Sequence, residues 1–299
     1  MSADVKSVKL IFRLDELIAQ VHLGLKALIL LVADILSRPP AGSETPGRIS
    51  GVFFEFDPAP TAWLDRSDLS SFVEQRILQW AMTDAIELVK PLLVGARAAC
   101  SFFELGGNPA MTSEEWNARV ARERMMDERM SKMNMKGRLE KFSRDHPDLK
   151  MPPLLSEILE ILKMRNCVLH NGGIVTNSYC NEPDALRVRF RRHSMWVKGS
   201  AGDREYTQGE ILGPGTTWQV RIITAERVWR IGERVELTPQ IFVDLCFTVD
   251  RFALEMAQAL EAFGRPKGII FEAFNGATER DPGASSSQSK HLEDSGGGP

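Results

Sequence analysis

Pro152-Pro153-Leu154-Leu155-Ser156-Glu157-Ile158-Leu159-Glu160-Ile161-Leu162-Lys163-Met164-Arg165-Asn166-Cys167-Val168-Leu169-His170-Asn171-Gly172-Gly173 reads as one helix with both ends marked. The proline pair presets the backbone angles of a first turn, and the glycine pair supplies the left-handed conformation that commonly ends a helix. At about 100° per residue, Leu155, Ile158, Leu162 and Leu169 fall on one stripe, which predicts a core-facing helix over residues 154–171. Arg165 and Asn166 fall within the sector of that stripe, and His170 falls at its edge. Asn166 and His170 are i,i+4 neighbours within reach of a hydrogen bond. Polar groups turned toward a packed face need partners, because leaving them unpaired is costly. Another part of the chain, a second copy of it, or an anionic ligand must therefore meet this helix end.

Helical periodicity extends upstream. Leu10, Leu14, Leu17, Val21, Leu25, Leu28, Val32 and Ile35 recur at helical spacing, and Pro39-Pro40 stops that helix. Residues 39–62 read as a long connection in which Val52-Phe53-Phe54-Glu55-Phe56 is apolar enough to pack down. A second helical region opens with Ser67 or Asp68 as N-cap and carries Phe72, Ile77, Trp80, Ala81, Ile86 and Val89 as core candidates. Pro91 is a kink point, and Gly106-Gly107-Asn108-Pro109 ends the region. Thr112-Ser113-Glu114-Glu115 starts a charged, methionine-rich helix, solvated on most of its surface, that runs to about residue 144. The Met cluster within it is read as adaptable packing.

Downstream the texture changes. Leu186-Arg187-Val188-Arg189-Phe190 and Trp218-Gln219-Val220-Arg221-Ile222-Ile223 alternate, with Gly-containing turns between them, so a small antiparallel sheet is expected. Thr238-Pro239 caps a last amphipathic helix over residues 240–263, with Phe242, Leu245, Val249, Phe252, Met256 and Leu260 inward. The expected fold class is mainly α. A helical domain spans residues 1–274, with a β-rich insertion at 175–237 before the last helix, and a Ser- and Gly-rich tail at 275–299 reads as disordered.

Composition limits the function classes. In 299 residues, 43% are hydrophobic and 26% charged, which suits a packed core. Lys and Arg total 37 against 40 Asp and Glu, a net charge of -3, so bulk coating of nucleic acid is excluded and any such contact needs a local patch. Cys100, Cys167, Cys180 and Cys246 lie far apart with no paired spacing. That argues against a disulfide framework or a structural zinc site and for a cytoplasmic location. No export signal is visible. The longest unbroken apolar run, residues 27–33, is short for a bilayer span, so no membrane association is expected.

Arg165-Asn166, followed by three residues and His170, and the ending His170-Asn171-Gly172-Gly173, resemble the Rx4–6H signature of the HEPN superfamily. The resemblance covers the motif, the long helices before it and one helix after it. It does not extend to the β-rich insertion or the tail. It implies a HEPN-like helical bundle and a homodimer in which two motifs build one cleft. It further implies metal-independent RNA cleavage to 2',3'-cyclic phosphate and 5'-hydroxyl ends, in a defence or toxin–antitoxin setting with a cognate antitoxin or regulator. Other members of that superfamily are non-catalytic dimerisation, nucleotide-binding or partner-binding modules.

The residue types suit the chemistry. An ordinary imidazole titrates at about 6.5 and can take a proton from a ribose 2'-hydroxyl. A guanidinium is a permanently charged fork matched to phosphate oxygens. Arg165 is thus the candidate phosphate binder, His170 the general base or acid, and Asn166 the orienting group, with no cofactor or metal called for. The bland alternative is that Arg165 and His170 salt-bridge and cap a helix end, His170 complementing its dipole.

Arg187, Arg189 and Arg191 alternate, with Trp196 close by, and form a second candidate, an RNA-binding strand face with a stacking platform. The competing reading is the wet face of a hairpin. Cys167 and His170 have a spacing that permits contact, but Cys167 is expected to point away from the apolar sector and to be incidental. His22 is expected in the core, His146 in a loop and His291 in the tail.

Overall fold

The computed structural model describes residues 6–7, 11–37, 49–51, 54–56, 66–107, 110–199, 202–207, 210–213 and 215–272. Seven α-helices occur among them: α1 (Leu14–Ser37), α2 (Arg66–Glu87), α3 (Val89–Phe103), α4 (Ser113–Ser131), α5 (Met135–Asp145), α6 (Leu155–His170) and α7 (Pro239–Gly264). Short strands β1 (Lys6–Ser7) and β5 (Ala110–Met111) pair antiparallel, as do β3 (Ile49–Gly51) and β4 (Phe54–Phe56). Strands β2 (Ile11–Phe12) and β9 (Ile270–Phe271) pair parallel. The main sheet has the order β7 (Arg204–Glu205), β6 (Ala185–Val197), β8 (Trp218–Arg230), all antiparallel. The chain is mainly helical with a small antiparallel sheet between α6 and α7, as its alternating segments predict.

Helix α7 is the hub. It packs against α1, α2, α3, α6 and β6. All six of its predicted inward residues are buried, and the Thr238 hydroxyl accepts the Ile241 N–H at 3.2 Å with Pro239 in the first turn. Helix α1 buries Leu14, Ile18, Val21, Leu25 and Val32, while Leu23, Leu30 and Leu31 are exposed. Among the described residues it is the one helix long and apolar enough to cross a membrane by length and composition. The shortness of its unbroken apolar run therefore does not decide the matter.

Several expected boundaries shift for identifiable reasons. Helix α2 begins at Arg66, so Ser67 and Asp68 lie inside it rather than at its cap. The break after it falls at Leu88, not at Pro91. Pro91 has no N–H for the Glu87 carbonyl, so α2 ends at Glu87 and α3 restarts at Val89. The charged stretch is two helices. Its start is the predicted capping box, Thr112 with Glu115, but Asn134 accepts the Gly137 N–H at 2.8 Å and caps a new helix, α5. The stop at Pro39-Pro40, Val52 and Phe53 of the connection, His291 and the tail at 275–299 lie outside the described residues.

Strand β6 has β7 beside it only at Trp196 and Val197. Further back, its open edge is closed by side chains. The N–H groups of Arg187, Arg189 and Arg191 donate to Asn181 Oδ1 at 2.8 Å, Glu160 Oε2 at 2.9 Å and Thr248 Oγ1 at 2.8 Å. These contacts satisfy an edge that would otherwise invite another strand, and they fix α6 and α7 against the sheet.

Gly172 and Gly173 end α6 with φ of +59° and +84°. The Gly173 N–H returns to the Cys167 carbonyl at 3.1 Å, and the Gly173 carbonyl accepts the Val235 N–H at 2.8 Å. A Cβ at Gly173 would lie 3.0 Å from the Val235 carbonyl oxygen, whereas one at Gly172 meets nothing within 4 Å. Gly173→Ala is therefore expected to destabilise by about 1–3 kcal/mol, and Gly172→Ala by about 1 kcal/mol from backbone strain alone. Urea unfolding of both variants checks the order.

Candidate functional site

Helix α6 lies against α2, α5, α7 and β6. Burial on several sides widens and rotates its buried arc relative to the predicted stripe. Ile158, Ile161, Leu162, Met164, Cys167 and Val168 are buried, Leu155 is half-buried, and Leu169 is exposed. Arg165 falls inside this arc and is half-buried, its side chain 23% exposed. Its Nη1 donates to Asn166 Oδ1 at 3.0 Å, and its Nη2 lies 3.9 Å from Glu87 Oε1. Its Nε is buried with no hydrogen-bond partner among the described residues.

The break made by Pro91 sets the surroundings of Arg165. Glu87 ends α2 and Lys90 sits in the first turn of α3, and the two form an ion pair across the corner. From α5, buried Arg138 donates to the Met133 carbonyl at 2.9 Å and the Ser131 carbonyl at 2.6 Å, with no carboxylate partner among the described residues. Burial, and then the charges of Arg138 and Arg165, hold the Lys90 ammonium below its ordinary pKa. Lys90 and Arg165 thus share one carboxylate, with the Arg138 charge near enough to act on Lys90, and the corner carries excess positive charge. Sequence reading missed Lys90, Glu87 and Arg138. The available signal was Pro91, which places residues 87 and 90 at a corner.

His170 is the last residue of α6 and is exposed, with no hydrogen bond or ion pair among the described residues. Among the described residues no Asn166–His170 hydrogen bond forms, and Asn166 Oδ1 accepts from Arg165. His170 lies five positions after Arg165, about 140° around the helix and about 7.5 Å along it. Within one chain they therefore face different directions.

The arginine stripe is not a free cationic track. Arg187 lies 2.9 Å from Glu182 and 3.6 Å from Glu226. Arg189 holds Glu160 at 2.5 Å, and Arg191 holds buried Glu157 at 3.1 Å. Trp196 has the Arg221 guanidinium 4.5 Å from its ring centre, so a face needed for base stacking is already taken. The sequence has no acid between Asp184 and Asp203, but tertiary structure brings acids from α6 and β8. In this structure Arg187, Arg189 and Arg191 each carry an acidic partner and tie the sheet to its neighbours, and Trp196 carries the Arg221 guanidinium.

Cys167 points inward, not away from the core. Its Sγ donates to the Ile174 carbonyl at 3.3 Å, and burial followed by the neighbouring Cys180 pushes its thiol pKa up. It is a packing residue. His22, expected in the core, is exposed and lies 3.1 Å from Asp250.

No known family model, curated protein sequence or solved structure matches the chain.

His146, expected in a loop, caps α5 and is 8% exposed, stacked near Phe142 and 3.7 Å from Glu104. Burial lowers its pKa, opposed in part by Glu104 and Asp145. The unfolded chain thus binds a proton near pH 6.5 that the folded chain does not. Stability is expected to fall as pH drops through 6.5 toward the folded value, with a slope from this group of at most about 1.4 kcal/mol per pH unit. His146→Gln should flatten that segment of a thermal-stability profile between pH 7 and 5.

Proposed function

We propose that the chain is a HEPN-like, homodimeric endoribonuclease that cleaves RNA without metal, working in a defence or toxin–antitoxin setting under a cognate antitoxin or regulator. One observation carries this reading. The helix with the Arg-Asn…His pattern ends in a free, exposed imidazole, and its arginine sits at a corner where cations outnumber carboxylates. In the proposed reaction His170 takes the 2'-hydroxyl proton as that oxygen attacks phosphorus. The P–O5' bond breaks, and the 5'-oxygen takes a proton from solvent water. Arg165 holds the non-bridging phosphate oxygens as negative charge builds on them.

A second copy supplies what one chain lacks. Arg165 of one protomer and His170 of the other can meet across a twofold, whereas within a chain they diverge. Exposed Leu169, next to His170 on α6, offers apolar surface for such an association. The alternative, a non-catalytic dimerisation, nucleotide- or partner-binding module, makes the opposite prediction in one assay. Purified protein incubated with RNA in EDTA should give 2',3'-cyclic phosphate and 5'-hydroxyl ends. Absence of cleavage leaves the binding module, and cleavage that disappears in EDTA overturns the metal-free route.

A further inference from the structure

We propose that Lys90 and Arg165 form a phosphate-binding subsite at the corner between α2 and α3, with Arg138 as its buried backing charge. Glu87 is the counter-ion that a phosphate displaces.

The argument is one of charge and valence. Glu87 is the only carboxylate found in contact with this corner among the described residues. It is ion-paired to Lys90 and lies 3.9 Å from Arg165, beyond hydrogen-bond distance. Among the described residues Asp84, one turn back along α2, makes no ion pair with the cluster. Arg138 is immobilised by the Ser131 and Met133 carbonyls and adds a fixed positive charge that no carboxylate answers. Two cations at one acid, with the Arg138 charge acting on Lys90, repel each other in a partly desolvated place, and a multivalent anion relieves that repulsion.

The donors also want more acceptors than Glu87 offers. The buried Arg165 Nε–H has none, and the Lys90 ammonium has three N–H bonds to satisfy. A phosphate presents several oxygens to a guanidinium fork and an ammonium at once. Lys90 and Glu87 are each about a third exposed, 32% and 37%, so the corner opens to solvent.

This assignment shares Arg165 with the nuclease reading and deepens it by adding Lys90. It rests on that reading only in taking the phosphate to be one of an RNA chain.

The test is binding, kept apart from cleavage. Full-length protein is titrated at constant ionic strength with inorganic phosphate by calorimetry. In parallel it is titrated with a fluorescent oligodeoxythymidylate by anisotropy, because that probe has no 2'-hydroxyl and cannot be cleaved by this chemistry. Lys90→Gln and Arg165→Gln should each weaken binding about tenfold or more, the loss of one charge-assisted contact. Lys90→Arg should retain most of the affinity. If Arg165→Gln fails to fold, the partly exposed Lys90 carries the test. Failure of the wild type to bind either probe overturns the subsite, as does a Lys90→Gln variant that binds like wild type. Binding of inorganic phosphate alone supports the subsite and removes the RNA assignment. Intact binding without any RNA cleavage overturns the nuclease reading and leaves the subsite standing.

Discussion

Arg97→Met is expected to destabilise the fold by about 3–5 kcal/mol, the cost of removing one partner from a buried ion pair. Arg97 lies on α3 with its side chain 5% exposed. It donates to Glu123 Oε2 at 2.6 Å and to the Glu123 carbonyl at 3.1 Å, and it pairs with Asp127. Glu123 also accepts from Ser101 Oγ at 2.6 Å, and Arg119 donates to the same hydroxyl at 2.7 Å. A methionine fills similar volume, so the loss comes from two carboxylates left without their cation. Burial alone would raise the Glu123 pKa, but bonds from Ser101 and Arg97 outweigh it and hold the carboxyl below its ordinary range. A depressed carboxylate pKa stabilises the fold above the unfolded value and loses that contribution as pH falls through the folded one. The gap between wild type and Arg97→Met in urea unfolding should therefore be full at pH 7 and shrink below about pH 4. An equal gap at pH 7 and pH 3.5 would show that shape, not charge, sets the loss.

That network also marks where sequence reading reaches its limit. Arg97 lies in an apolar run, and α4 is rich in charge and reads as solvated on most of its surface. The structure joins them, because a buried guanidinium must find carboxylates and α4 is the element that brings them. Local signals did fix much of the fold. The Thr112–Glu115 box, the Thr238–Pro239 start and the Gly172–Gly173 stop each act within one turn, where the chain's own neighbours decide the outcome. The break at Leu88 follows from Pro91 but three residues earlier than the proline itself, since the lost bond belongs to the Glu87 carbonyl.

The candidate site was legible only as a residue pattern. A helical wheel drawn on Leu155, Ile158, Leu162 and Leu169 puts Arg165 in the packed sector correctly. It misplaces Cys167, because α6 is covered on several sides rather than one. The acidic partners of the arginine stripe were hidden for the converse reason. Arg187, Arg189 and Arg191 do alternate along β6, yet the partners that neutralise them come from as far as Glu157 and Glu226. Charge balance along the sequence says nothing about acids that arrive through folding. Lys90 was invisible for a related reason, since its role depends on a corner, on α5 and on α6 together.

The decisive measurement for the proposed activity is the cleavage rate of a labelled RNA by three preparations. Arg165→Ala and His170→Ala should each lower the rate by about 10²–10⁴, the range for removing an electrostatic clamp or a general acid–base group. Neither residue is among the buried hydrophobic core, so melting temperature should move little in His170→Ala, which takes away an exposed side chain without partners. Mixing the two inactive variants and allowing subunits to exchange then asks where the site is assembled. If Arg165 of one protomer serves His170 of the other, half of the random pairs are mixed, and each contains one intact site of two. About a quarter of wild-type activity should return. If both residues act within one chain, no mixed pair has an intact site and nothing returns. Restoration would tie the 140° divergence on α6 to a composite twofold cleft. A wild type with no RNA cleavage, or a His170→Ala variant as active as wild type, would remove the ribonuclease proposal.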